Sequence, residues 1–88
     1  MKQYIYDKVI NVMKNKIPQL KVNAITRKSL LKEDIGINSI LFYDLLIDFE
    51  NEFHIRFWDV SINSSKYRSI ETLCDTIESF IEEKNDGN

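Results

Sequence analysis

The sequence predicts a small all-α domain, on three observations. Only two glycines and one proline interrupt 88 residues, of which 43% are hydrophobic and 30% charged, the balance of a folded helical chain rather than a disordered one. Near both ends of the chain, apolar residues recur at the i, i+3, i+4, i+7 spacing of a single helical face. Between them, a glycine followed closely by Asn38-Ser39 opens a run free of Gly and Pro, the pattern of a loop entering a helix. The expected architecture is a small four-helix bundle, three main helices and one short one, with a long first loop. A single domain covers residues 1–84, and residues 85–88 form a tail expected to fray.

The first helix is expected from Gln3 to Lys16. Ile5, Val9, Val12 and Met13 form its core stripe, Tyr4 or Tyr6 lies at the margin, and Pro18 stops it. Residues 17–37 then make a connection longer than most loops in compact domains. Leu20, Val22, Ile25, Leu30 and Leu31 are spaced to pin it to the bundle, and Ser29 to Glu33 can add a short turn of helix.

The second helix follows Asp34-Ile35-Gly36-Ile37-Asn38-Ser39-Ile40 and runs to about Phe53. Asn38 is the expected N-cap, which puts Ser39 on the first turn. Backbone N–H groups left open at such an end, with the positive pole of the helix, favour an anion on Ser39 by about 0.3–1 kcal/mol when exposed. At 100° per residue, Phe42, Leu45, Leu46, Phe49 and Phe53 share one stripe and are assigned to the core. Ile40, Tyr43 and Ile47 fall on the other side, interleaved with Asp44, Asp48 and Asn51. Apolar groups ringed by polar ones suggest a docking surface; the plainer alternative is that Tyr43 and Ile47 cover a neighbouring loop.

After Phe53, Ile55 and Phe57 alternate with His54 and Arg56. The alternation alone suggests a strand, but no second strand-like run exists to pair with it, so an extended loop crossing the core is favoured. Trp58 is either a partner-defining residue of that loop, with Arg56, or a buried plug. A short helix is expected within Asn63 to Arg68. Ser69 then caps a final helix from Ile70 to about Lys84, with Glu71 in its first turn and Ile70, Leu73, Cys74, Ile77, Phe80 and Ile81 on its core stripe. Cys74 is read as a small core hydrophobe rather than a reactive thiol.

These residues carry a family resemblance. Leu31-Lys32-Glu33-Asp34-Ile35-Gly36-Ile37-Asn38-Ser39-Ile40, then Leu45-Leu46-Ile47-Asp48-Phe49-Glu50-Asn51-Glu52-Phe53-His54-Ile55, resemble the acyl and peptidyl carrier protein family. That family shows a Leu-Gly-x-Asp-Ser-Leu turn and a helix ending in Leu-Glu-x-x-Phe-x-Ile, and helices flanking the motif extend the resemblance over nearly the whole chain. The resemblance implies an acyl-carrier-like bundle in which Ser39 takes 4′-phosphopantetheine from coenzyme A and holds an acyl or aminoacyl group as a thioester. Gly36 and Asn38 would form the helix-cap turn beside it. The implied partners are a phosphopantetheinyl transferase, an acyl- or aminoacyl-loading ligase, and synthase or condensing enzymes. They would dock on Ile40, Tyr43, Asp44, Ile47, Asp48 and Glu50. Asn38 stands where the family most often has Asp, and Ile40 where it most often has Leu. Asn caps a helix about as well as Asp, but a carboxylate able to help hold a metal ion during modification is missing.

Other function classes find little support. A Ser39–His54–acid triad would have to act across the length of a helix of about 20 Å, so no catalytic residue is assigned. One His and one core Cys do not make a metal site. Residues 1–32 hold eight Lys or Arg against one acid, and the remainder four against thirteen. The basic third lacks exposed interleaved aromatics, so no nucleic-acid role is assigned, and the acidic field around the second helix would steer basic partner surfaces. A single Cys and the absence of a signal-like or membrane-length apolar run make a cytoplasmic setting and a monomer the default expectations. The alternative to a carrier is a protein–protein interaction module with the same bundle that is never modified.

Overall fold

The computed structural model describes residues 2–57, 60–61 and 63–86, with residues 85 and 86 described by their backbone only. Three α-helices, α1 (Gln3–Lys16), α2 (Ser39–Phe53) and α3 (Ile70–Asp86), pack around one core, with single 3-10 turns at Val22–Ala24 and Ser65–Tyr67. The second of these turns is the expected short helix. Among the described residues there is no strand; residues 55–57 form a loop tied back to Glu50, and one isolated bridge joins Leu30 to Ser69. Trp58 and residues 87–88 of the expected tail lie outside the described residues.

α1 buries Ile5, Val9, Val12 and Met13 as its spacing requires, and also Ile10, which fills the edge of the same face. Tyr6 packs against the core margin, whereas Tyr4 is exposed. The Ile17 N–H still reaches the Met13 carbonyl, and Pro18, which has no N–H, prevents a further turn. α3 starts on a reciprocal cap: the Thr72 N–H donates to Ser69 Oγ at 3.2 Å and the Ser69 N–H donates to Thr72 Oγ1 at 2.9 Å. Ile70, Leu73, Cys74 and Ile77 are fully buried, and Phe80 and Ile81 are partly so.

The long first loop is secured by backbone bonds more than by burial. The Leu31 N–H donates to the Arg68 carbonyl, Ile70 N–H to Ser29, and Glu71 N–H to Arg27, at 2.8–3.0 Å. Leu31 and Leu20 anchor it in the core, with Ile25 partly buried. Val22, expected to pin the loop, is exposed. It sits on the 3-10 turn, where the chain runs over the surface and no helical period directs its side chain inward. Likewise Leu31 to Asp34 form hydrogen-bonded turns rather than a helix, closed by Asp34 and Ile35 N–H groups donating to the Leu30 carbonyl.

The segregated charge of the sequence is partly used inside the fold. Lys8 pairs with Glu52, Lys16 with Asp48 and Lys28 with Glu71 at 3.1–3.4 Å. The first two pairs tie α1 to α2 in antiparallel order. Each is a surface pair worth at most about 1 kcal/mol, so they select the arrangement more than they stabilise it.

Candidate functional site

The entry to α2 is assembled from its N-terminal turn outward. Gly36 adopts φ +85°, a left-handed conformation that an L side chain resists, although a Cβ there would meet nothing within 4 Å. Its backbone angle, not crowding, is what calls for glycine. Ile37 follows as an anchor: it is buried, and its N–H donates to the Leu31 carbonyl at 2.9 Å. Asp34 braces the same turn by accepting from the Leu30 N–H at 2.8 Å. The turn is therefore held on both sides before the chain reaches Asn38.

Asn38 caps the helix as expected, its Oδ1 accepting from the Leu41 N–H at 2.8 Å, and its carbonyl takes the first helical bond, from the Phe42 N–H at 2.9 Å. Ser39 is the first helical residue and is exposed. The amides of Ser39 and Ile40 remain the open donors of this end among the described residues, and no acid lies in the first turn to neutralise its positive pole. α3, by contrast, carries Glu71 there. An anion esterified to Ser39 would meet a positive pole that the helix leaves uncompensated.

Beside Ser39 the apolar side chains stand in solvent as the helical wheel requires: Ile40 is 76% exposed, Ile47 56% and Tyr43 46%. Asp44 is exposed on the same surface. The two other acids of the expected docking set have intramolecular partners. Asp48 faces Lys16, and the Glu50 carboxylate accepts from the Phe57 N–H at 2.9 Å, holding the loop after α2. Tyr43 serves both readings of its face, since its hydroxyl donates to the Val60 carbonyl at 3.2 Å while nearly half of the residue stays in water. Gly36, Asn38, Ser39 and Ile40 thus meet at one end, Tyr43, Asp44 and Ile47 continue the exposed surface to mid-helix, and Asp48 and Glu50 turn toward neighbouring elements.

His54 lies at the far end of α2, about 22 Å away for a 15-residue helix. It ends the helix in a left-handed conformation, φ 57°, and its carbonyl accepts from Lys84 Nζ at 2.6 Å. It takes no part in the Ser39 site. Nothing in the sequence marks His54 as left-handed, since glycine is the usual residue there. Cys74 is wholly buried, and burial, with a smaller push from Asp75, raises its thiol to about 12. It is a neutral core group. No cluster of three or more metal-ligating side chains occurs among the described residues, and no helix there is long and apolar enough to cross a membrane.

An acyl carrier protein from Thermotoga maritima is 29% identical over 83 residues, which is 94% of each chain. No protein-family model matches. The resemblance to acyl carrier proteins thus runs nearly end to end, through helices and loops alike.

Proposed function

We propose that this relative of acyl carrier proteins is itself a carrier: Ser39 receives 4′-phosphopantetheine from coenzyme A, and the thiol at the end of the arm holds a biosynthetic intermediate as a thioester. In the modifying step the Ser39 Oγ attacks the β-phosphorus of coenzyme A, a phosphodiester to the serine forms, and 3′,5′-adenosine diphosphate leaves. The Ser39 proton passes to a base of the transferase. The supporting observation is an exposed serine on the first turn of α2, at an Asn-capped end without an acid of its own, next to three exposed apolar side chains. On this reading the chain is a substrate of partner enzymes rather than an enzyme, as the relative's carrier role suggests. Ile40, Tyr43, Ile47 and Asp44 form the docking face for the transferase, the loading ligase and the synthase or condensing enzymes. Asp48 and Glu50 shape that face through Lys16 and the loop they hold. Fatty-acid, polyketide, nonribosomal peptide and D-alanyl type pathways share this chemistry, and the cytoplasm, where coenzyme A is made, is the fitting location.

Incubation with coenzyme A and a broad-specificity phosphopantetheinyl transferase should add one phosphopantetheinyl group to the parent chain, read as intact mass. Ser39→Ala should fold and gain nothing; modification of that variant would overturn the assignment. One observation favours a second reading, the unmodified interaction module. The Asn38 side-chain oxygen is committed to its own helix, and the residue has no carboxylate to share with a metal. If the folded parent gains no mass with several transferases, that module is the function. If Asn38→Asp then restores the gain, Asn38 is what blocked modification.

A further inference from the structure

A cavity of about 170 Å³ lies between the end of the first loop and the 3-10 turn Ser65–Tyr67. Its lining is polar and donor-rich: Lys32, Arg68, Asn63, Ser64 and Ser65, with Glu33 as the one acid. Several waters' worth of volume suits a group the size of a tetrahedral oxyanion. Lys32 Nζ is already positioned across the opening by donating to Asn63 Oδ1 at 3.1 Å. Arg68 is held by its backbone, its carbonyl accepting from the Leu31 N–H and its N–H donating to the Ser65 carbonyl. Its guanidinium has no ion-pair or hydrogen-bond partner among the described residues. Many other cations of the chain are engaged: Lys8, Lys16 and Lys28 with acids, Lys14 with the carbonyls of Pro18 and Leu20, and Arg27 with Gln3.

Two contacts connect the cavity walls to the segment around Ser39. Leu31, between Lys32 and the bridge to Ser69, accepts from the Ile37 N–H, and Ile37 is two residues, at most about 7 Å of backbone, before Ser39. On the other side, the Tyr67 ring in the cavity wall stacks edge-on to Phe42 with centroids 5.3 Å apart, one turn after Ser39.

We propose that this cavity is a binding site for the oxyanion of a phosphate ester, with Lys32 and Arg68 as its charged donors and Asn63, Ser64 and Ser65 as neutral ones. A guanidinium, an ammonium and hydroxyls lining one cavity are the donor types that phosphate recognition uses, and two cations outweigh the single Glu33. The ester has two sources: the phosphodiester of an arm on Ser39, or a free phosphate ester from solution. The first rests on the modification of Ser39 proposed above; the site itself does not.

The unmodified chain titrated with inorganic phosphate, against chloride at matched ionic strength, tests this through the backbone amide resonances of Asn63, Ser64, Ser65 and Arg68. Saturable shifts confined to these amides are expected. Lys32→Met with Arg68→Met should weaken binding at least about tenfold, the equivalent of one charge-assisted hydrogen bond, while the far helix ends keep their spectrum. Ser39→Ala should bind free phosphate as the parent does. No saturable shift, or equal shifts with chloride or in the double variant, would overturn the site whether or not Ser39 is ever modified. In the phosphopantetheinylated chain, amides already displaced and insensitive to added phosphate identify the arm's diester as the occupant. An unchanged titration identifies a free phosphate ester.

Discussion

On one face of α2, Phe42, Leu45, Leu46, Phe49 and Phe53 are at most 9% exposed; on the other, Ile40, Tyr43 and Ile47 are 46% to 76% exposed. The residue types are alike, so hydrophobicity does not separate the two faces. Angular position does, because α1 and the turn that carries Tyr67 cover only one side of α2. The covered stripe supplies folding free energy through area removed from water and ring contacts such as Phe42 with Tyr67. The uncovered stripe supplies almost none and sits beside Ser39, whose helix end carries no acid in its first turn. Under the proposed function, stability and recognition therefore fall on opposite sides of one helix.

The largest effect that would break this division lies on the covered side. Phe49→Ala should cost about 3–5 kcal/mol in urea unfolding, the range for deleting a buried aromatic ring. A loss below about 1 kcal/mol would mean that the core is not where the helix places it.

The buried stripe of α3 extends the contrast to pH. Cys74 titrates near 9.0 when free of the fold and is raised to about 12 within it, so the folded chain keeps a proton that the unfolded chain releases. Burial raises the phenol of Tyr67 as well. Stability is complete below about pH 9 and should fall as pH rises from there toward 12. Thermal melts from pH 7 to 10.5 should show the decline begin near 9, and Cys74→Ala, although less stable throughout, should show a shallower one.

A smaller effect distinguishes the acids of α2. Glu50→Ala should cost on the order of 1 kcal/mol, because the Phe57 N–H loses a charged acceptor that is only partly shielded from water. Asp44→Lys should leave stability within about 0.5 kcal/mol. It should slow reaction with a basic partner more at low salt than at high salt, and equal slowing at both would argue against electrostatic docking.

Much of this division could be read before any coordinates. The 3.6-residue period marks both faces of α2, and Asn38 after Gly36 marks its start, because helix entry is a local matter of caps and open amides. What the sequence hides is contact between residues far apart in the chain. Glu50 and Asp48 share the polar pattern of Asp44, yet Glu50 reaches seven residues ahead to Phe57 and Asp48 reaches back to Lys16 on α1. The left-handed His54 and the exposed Val22 escaped for the converse reason: loops lack a period, and neither residue is of the type that usually advertises its conformation. The unequal charge of the two parts of the chain has its answer in cross-helix pairs such as Lys8 with Glu52.

The most direct test compares the two properties of α2 in the same sample: the rate at which a phosphopantetheinyl transferase adds mass to the parent and to an Ile40→Ser, Ile47→Ser double variant, with the Tm of each. The expected result is a parent that gains one phosphopantetheinyl group and a variant that gains it at least about tenfold more slowly, with its stability changed by no more than about 0.5 kcal/mol per site. A variant modified as fast as the parent, a variant that loses its fold, or a parent that is never modified would each contradict the account.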